Sequence, residues 1–191
     1  MRAYIQEQIA DHLRLAAGLE ESLASSIEAA VDLLADALGA GGKLLLFGNG
    51  GSAADAQHIA AEMVVRLSEN RRPLPALALT ADTSTLTAAA NDYGFAEVFA
   101  RQIEALARPG DIAIGISTSG QSKNVIRGLQ AARKMGVTTL ALGGGRGGRM
   151  IEFADHSLIV PSQTTARIQE MHVLIGHLLV GAVERKMGLI S

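Results

Sequence analysis

Residues 44–66, LLLFGNGGSAADAQHIAAEMVVR, restrict the fold more than any other stretch of the chain. The run Leu44-Leu45-Leu46-Phe47 carries apolar side chains on both sides of the strand alternation, the pattern of a strand buried on both faces. It ends in Gly48-Asn49-Gly50-Gly51-Ser52, a tight glycine turn, and the residues beyond it have helical spacing. Strand, glycine turn and helix in this order direct backbone N–H groups and a helix N-terminus at one point, which suits an anion and most often a phosphate. The turn is neither the GxGxxG dinucleotide fingerprint nor a GxxxxGK[ST] P-loop, which argues against NAD and ATP. His58 and Glu62 follow at i and i+4, so both leave the helix on the same side.

A strand buried on both faces needs helices on both, and the rest of the chain supplies them. Apolar segments at 75–79, 111–116, 137–142 and 156–160 alternate with helical patterns at 53–68, roughly 84–90, 95–107, 121–135 and 166–187. This predicts an α/β fold: a three-layer, doubly wound parallel sheet. Ligands in such sheets sit beyond the carboxyl ends of the strands. The polar clusters obey this, since Asn49–Ser52, Ser117–Gly120 and Gly143–Gly148 each follow a strand segment.

Ahead of the first strand, residues 3–39 carry two apolar stripes, Ile5, Ile9, Leu13, Ala16-Ala17 and then Ile27, Ala30, Val31, Leu34, Leu38. Ser25-Ser26-x-Glu28 between them reads as an N-cap, so two N-terminal helices are expected. They lie outside the βαβ repeat and serve as a packing layer, an oligomerisation surface, or both. With no linker, repeat or low-complexity tract, residues 1–191 read as one domain, a helical layer (1–40) on an α/β core (41–191).

Composition closes off other classes. A net charge of −2 offers no basic footprint for nucleic acid, and the absence of Cys removes disulfides, thiolate metal sites and a thiol nucleophile. No apolar run is long enough to span a membrane, and the charged, periodic N-terminus is unlike a signal peptide. A soluble cytoplasmic protein is expected.

Each candidate cluster has an ordinary structural alternative. Glycine turns are common where strands meet helices, and the serines of Ser117-Thr118-Ser119-Gly120-Gln121-Ser122 could simply be N-caps. Two hydroxyl- and glycine-rich turns after two strands are harder to dismiss, and together they make a phosphate nest without Lys or Arg. His58 with Glu62 suits metal ligation or acid–base work but is also an ordinary surface pair. Their apolar neighbours (Ile59, Ala60, Ala61, Met63, Val64) favour a buried, functional pair. Gln169 and His177 interrupt an apolar helix about 12 Å apart along its axis, awkward for two ligands of one ion from one chain and easier if two chains meet. Asn91-Asp92-Tyr93-Gly94 reads as a turn, and Asp55 and His172 are ambiguous.

Taken together, GNGGSAADAQHIAAE (48–62), ALTADTSTLTAAANDYGF (78–95), FARQIEALARPGDIAIGISTSGQSKNV (99–125) and RIQEMHVLIGH (167–177) resemble the sugar isomerase (SIS) domain family, and within it the phosphoheptose isomerases. The resemblance covers essentially the whole chain. It implies a flavodoxin-like sheet and a homotetramer with sites shared between subunits. The implied reaction converts D-sedoheptulose 7-phosphate to D-glycero-D-manno-heptose 7-phosphate through an enediol, feeding heptose synthesis for lipopolysaccharide and related glycans. The implied substrate shell is Asn49, Gly50, Gly51, Ser52, Glu62, Asn91, Asp92, Ser117, Thr118, Ser119, Ser122 and Gln169. His58, Glu62, Gln169 and His177 match the family's zinc ligands, and Glu62 and His177 its catalytic pair. A related regulatory protein that associates with the DnaA replication initiator keeps the fold but lacks that carboxylate and second histidine; both are present here. Gly143-Gly144-Gly145-Arg146-Gly147-Gly148 departs from the family, which more often has Thr at its start.

Overall fold

The computed structural model describes residues 1–190. The elements run α1 (Arg2–Gly39), β1 (Leu44–Gly48), α2 (Gly51–Val64), β2 (Ala76–Ala78), α3 (Thr83–Tyr93), α4 (Val98–Leu106), β3 (Ile112–Ser117), α5 (Lys123–Lys134), β4 (Thr138–Gly144), β5 (His156–Val160) and α6 (Thr165–Lys186). Short 3-10 turns at Phe95–Glu97 and Gly148–Phe153 complete the chain. All strand pairs are parallel and the order is β2-β1-β3-β4-β5, the flavodoxin-like arrangement with its switch point between β1 and β3.

Strand alternation divides the core. Leu44, Leu46, Ile112, Ile114, Leu140 and Leu142 face a layer containing α1, α2 and α6, whereas Leu45, Phe47, Ala113 and Ala141 face α4 and α5. The expected three layers are therefore present. Because α2 and α6 lie on the same face, side chains from residues 58–62 and 177 can meet. A Cβ on Gly176 would sit 2.8 Å from Ile59 Cδ1, so this glycine lets the two helices approach closely where His58 and His177 stand.

The N-terminal layer differs from expectation. It is one continuous helix of 38 residues, not two. The expected cap at Ser25-Ser26 does not form because nothing nearby breaks the helix. Buried Leu19, Leu23, Ala30, Val31, Leu34 and Leu38 continue a single stripe straight through it. At about 1.5 Å per residue α1 is roughly 57 Å long. Its first third carries exposed Tyr4, Ile5, Ile9 and Leu13.

Two other boundaries move. The helix expected over 53–68 stops at Val64, and Asn91–Tyr93 is the last turn of α3 rather than a loop. The reversal falls one residue later at Gly94, whose φ of 86° is a glycine conformation. Among the described residues no helix is long and apolar enough to cross a membrane.

Candidate active site

The candidate residues gather in two places: at the carboxyl ends of β1, β3 and β4, and on the facing sides of α2 and α6 toward the far end of α2. At β1 the chain turns through Gly50 (φ 55°) into α2, with Ser52 N–H bonded to the Asn49 carbonyl at 3.0 Å and Ser52 buried. Asn49 also exchanges two side-chain amide hydrogen bonds with Asn124, at 2.8 and 2.7 Å. Asn124 lies in the first turn of α5, so this reciprocal pair ties the β1–α2 turn to the start of α5 across the switch point. The fragment SKN did not distinguish Asn124 from a helix-start asparagine; only the fold brings it opposite Asn49.

At β3 the Ser117-Thr118-Ser119-Gly120 loop is held at several points. The hydroxyls of Ser117 and Ser122 are 3.0 Å apart, and Ser119 Oγ accepts the Gln121 N–H at 3.2 Å. Gly120 has φ 64°, its N–H binds the Ser117 carbonyl at 3.1 Å, and its carbonyl accepts the Met150 N–H at 3.0 Å. Thr118, Ser119, Gly144, Arg146 and Gln163 line a cavity of about 330 Å³ at the ends of β3 and β4. The exposed Arg146 thus brings to the serine loop a cation that the nest motif itself lacks.

The third part is the α2–α6 contact. His58 Nε2 and His177 Nε2 are 2.9 Å apart, and Glu62 Oε1 lies 3.2 Å from the first and 3.4 Å from the second. The rings are edge-on at a centroid distance of 5.2 Å. Three donors at such separations resemble ligands each about 2.0–2.2 Å from a common centre, the nitrogen and oxygen distances of zinc. Glu62 Oε2 is buried with no hydrogen-bond partner among the described residues, an open lone pair beside these donors. The residues present therefore fit a divalent cation. The burial expected for this group is not found: the His58, Glu62 and His177 side chains are 47%, 13% and 40% exposed. The apolar neighbours Ile59, Ala60 and Met63 point to the core on the other side of α2, leaving His58 on the open face.

Gln169 does not join that cluster within one chain. Its amide rests on Gly51, where an added Cβ would fall 2.9 Å from Gln169 Cδ, at the opposite end of α2 from Glu62. Asn91 and Asp92 are exposed at the end of α3, bonded to each other at 2.8 Å, and Asp92 lines a separate cavity with Leu77, Tyr93 and Arg101. The ambiguous His172 is resolved as a core residue. It is fully buried, and its Nε2 lies 3.1 Å from the Gly143 carbonyl, joining α6 to β4. Burial lowers its pKa, and that hydrogen bond only partly opposes the shift. Asp55, one turn before His58, is buried with Oδ2 unpartnered among the described residues. Burial pushes its carboxyl up, and nearby His58 partly offsets this.

Two residues that shape this region were not legible as such in the sequence. The Arg71 and Glu184 side chains are wholly buried and paired at 2.7 Å. Arg71 sits in the polar stretch RLSENRRP, and Glu184 precedes Arg185-Lys186 at a helix end, so both read as solvated charges.

Comparison with known proteins places this architecture. The SIS domain model matches residues 8–144. The phosphoheptose isomerase of Paramagnetospirillum magneticum is 56% identical over 181 residues, covering 95% of this chain and 94% of that protein. The phosphoheptose isomerase of Aquifex aeolicus is 58% identical over 164 residues, 86% of each. Among solved structures, a phosphoheptose isomerase from Neisseria gonorrhoeae superposes with a TM-score of 0.91 at 42% identity, covering 96% of this chain and 98% of that one.

Proposed function

We infer that this chain, which belongs to the SIS domain family, is an aldose–ketose isomerase of a phosphorylated heptose. Its substrate is D-sedoheptulose 7-phosphate and its product D-glycero-D-manno-heptose 7-phosphate. The observation that carries this reading is the meeting of Glu62 with His177 across two helices in a chain whose β1 and β3 end in phosphate-type turns; the pair lies at the far end of α2 from the β1 turn, so a second copy must bring turn and pair together.

The reaction moves one hydrogen between C1 and C2 and requires a base at carbon and an acid–base group at the neighbouring oxygens. Glu62 is the base, its partly covered carboxylate keeping one oxygen free of hydrogen bonds. His177, with Nε2 at the same opening, exchanges the proton of the enediol oxygens or serves ring opening. Asn49, Gly50, Gly51, Ser52, Ser117, Thr118, Ser119 and Ser122 hold the phosphate and hydroxyls, and Asn91 and Asp92 complete that shell in the assembled enzyme. His58, Glu62, Gln169 and His177 would hold a zinc ion, which when bound supplies Lewis-acid polarisation of the sugar carbonyl. Gln169, resting on Gly51 in its own chain, fits that set best as a contribution from a second copy. This supports a homotetramer with shared sites, and the exposed stripe Ile5, Ile9 and Leu13 gives such an assembly an apolar face to cover. We take the whole of residues 1–191 as one SIS unit acting in the cytoplasm on a small molecule, without nucleic acid or membrane.

The test is an isomerase assay with sedoheptulose 7-phosphate before and after chelation, with zinc restored. Turnover lost on chelation and regained with zinc is the expected result. Turnover indifferent to chelation removes the metal from the reading. No turnover under any metal overturns the isomerase and points to a regulatory relative, testable by capture of the replication initiator. Light scattering addresses the assembly, and a fully active monomer would exclude shared sites.

A further inference from the structure

We propose that Arg71 and Glu184 form a buried clamp that sets the spacing of the proton-transfer pair, making Arg71 a positioning residue for Glu62. The proposal rests on the isomerase reading above and extends it to residues outside the site.

The chemistry begins with how α2 ends. A helix leaves its last carbonyls without partners, and a glycine in left-handed conformation commonly closes it. Here the residue after α2 is Val65 at φ −97°, ψ −80°, not a glycine. Arg71 fills the role: its guanidinium donates to the carbonyls of Glu62 and Met63 at 2.7 Å each, Arg72 at 3.1 Å and Val65 at 3.3 Å. Its remaining direction, Nε–H, donates to Glu184 Oε1 at 2.7 Å, and the Leu67 N–H approaches the same oxygen at 3.5 Å. Both side chains are at zero exposure, so each is a desolvated charge compensated by the other. Glu184 Oε2 has no partner among the described residues, which leaves the carboxylate dependent on this arginine.

The placement ties this device to the reaction. Arg71 binds the backbone carbonyl of Glu62 itself. Glu184 lies two turns beyond His177 on α6. One planar group therefore fixes the end of the helix carrying Glu62 against the helix carrying His177. Apart from the His58, Glu62 and His177 contacts, the hydrogen bonds and ion pairs from α2 and its following loop to α6 among the described residues all run through Glu184. Elsewhere the two helices meet through packing, at Gly176 against Ile59 and at Gln169 against Gly51, with no ion pair among the described residues to fix their spacing. Displacement of reacting groups by about 1 Å can cost on the order of 100-fold in rate. Loss of groups that orient metal ligands typically costs about 10–100-fold in affinity.

Arg71→Lys tests this, because an ammonium keeps the charge facing Glu184 but lacks the planar fork that reaches both the carboxylate and the α2 carbonyls. The variant is expected to lower kcat at least about tenfold with KM held within about threefold, and to weaken zinc affinity about 10-fold or more in a chelator competition. Glu184→Gln should shift both in the same direction. Lys43→Met is the control: it breaks another ion pair (Lys43–Asp111, 2.5 Å) at the far end of the strands and should leave kcat and zinc affinity unchanged. Wild-type kcat and zinc affinity in Arg71→Lys overturn the proposal, as do equal losses in Lys43→Met at matched thermal stability. A wild-type protein without turnover whose zinc affinity nevertheless falls on Arg71→Lys overturns the isomerase reading and keeps the clamp.

Discussion

Replacing Gly120 by Ala should separate substrate binding from proton transfer. A Cβ at this position would fall 2.5 Å from the Gly147 carbonyl carbon and 2.9 Å from Gly148 Cα, closer than real Cβ contacts come. Neither side can yield cheaply. Gly120 is bonded to Ser117 through its N–H and to Met150 through its carbonyl, and Gly147 is bonded to the Gly144 carbonyl at 2.9 Å. The backbone also stands at φ 64°, which costs a non-glycine residue about 1–2 kcal/mol. Overpacking adds roughly 1–3 kcal/mol, for a total of roughly 2–5 kcal/mol. For a chain of this size each kcal/mol lowers Tm by about 2–4 °C, so a fall of roughly 4–20 °C is expected in a thermal scan at fixed protein concentration. Relief of the clash must displace Ser119 and the Gly144–Gly148 turn, which line the same cavity. KM for the sugar phosphate should rise at least about tenfold, the loss of one or two phosphate hydrogen bonds at about 1.5 kcal/mol each. The residual kcat should stay within a few-fold, because Glu62 and His177 stand on other elements. A Tm within about 1 °C of wild type together with an unchanged KM would refute the reasoning.

Other perturbations probe different parts of the molecule. Glu62→Gln and His177→Gln should each lower kcat by about 10²–10⁴-fold while far-ultraviolet circular dichroism is preserved; intact activity in both removes the assigned roles. Asn49→Ala strands the buried Asn124 amide and should cost about 1–3 kcal/mol in urea denaturation as well as raising KM. Burial alone would push the Asp111 carboxyl up, but hydrogen bonds from the Lys43 side chain and N–H and from the Arg108 N–H outweigh it and hold the pKa below the usual carboxylate value. Below that usual value the unfolded chain takes up the proton first, so the contribution of Asp111 is present at neutral pH and disappears as pH falls through its folded pKa. Urea midpoints of wild type and Asp111→Asn should therefore differ at pH 7 and draw together as the pH is taken down below the usual carboxylate range; a constant gap would remove the ionic part of that role.

The sheet was readable because its signals are local. A strand such as Leu44–Phe47 must be apolar on both sides to sit between two helical layers, and residues on its carboxyl side must turn quickly, so glycine and hydroxyl clusters mark the ligand end. The number of N-terminal helices was not readable, since Ser25-Ser26 suits a cap and a helix surface equally and only the continuous packing of Leu19 through Leu38 decides between them. For the same reason the exposure of His58 escaped local reading: neighbours along a helix include both its buried and its open face.

The sequence by itself determined the residue types of the chemistry, a carboxylate and histidines free of competing thiols, and the order of strands and turns that presents them. Only the tertiary structure decided which of them meet. Glu62 and His177 are 115 positions apart and come within 3.4 Å because α2 and α6 share a sheet face and Gly176 admits Ile59. Gln169, on the same helix as His177, is carried instead to Gly51. Arg71 and Glu184 look like surface charges until packing removes water from both. Such pairings depend on distances between segments remote in the chain, and neither composition nor periodicity encodes those distances locally.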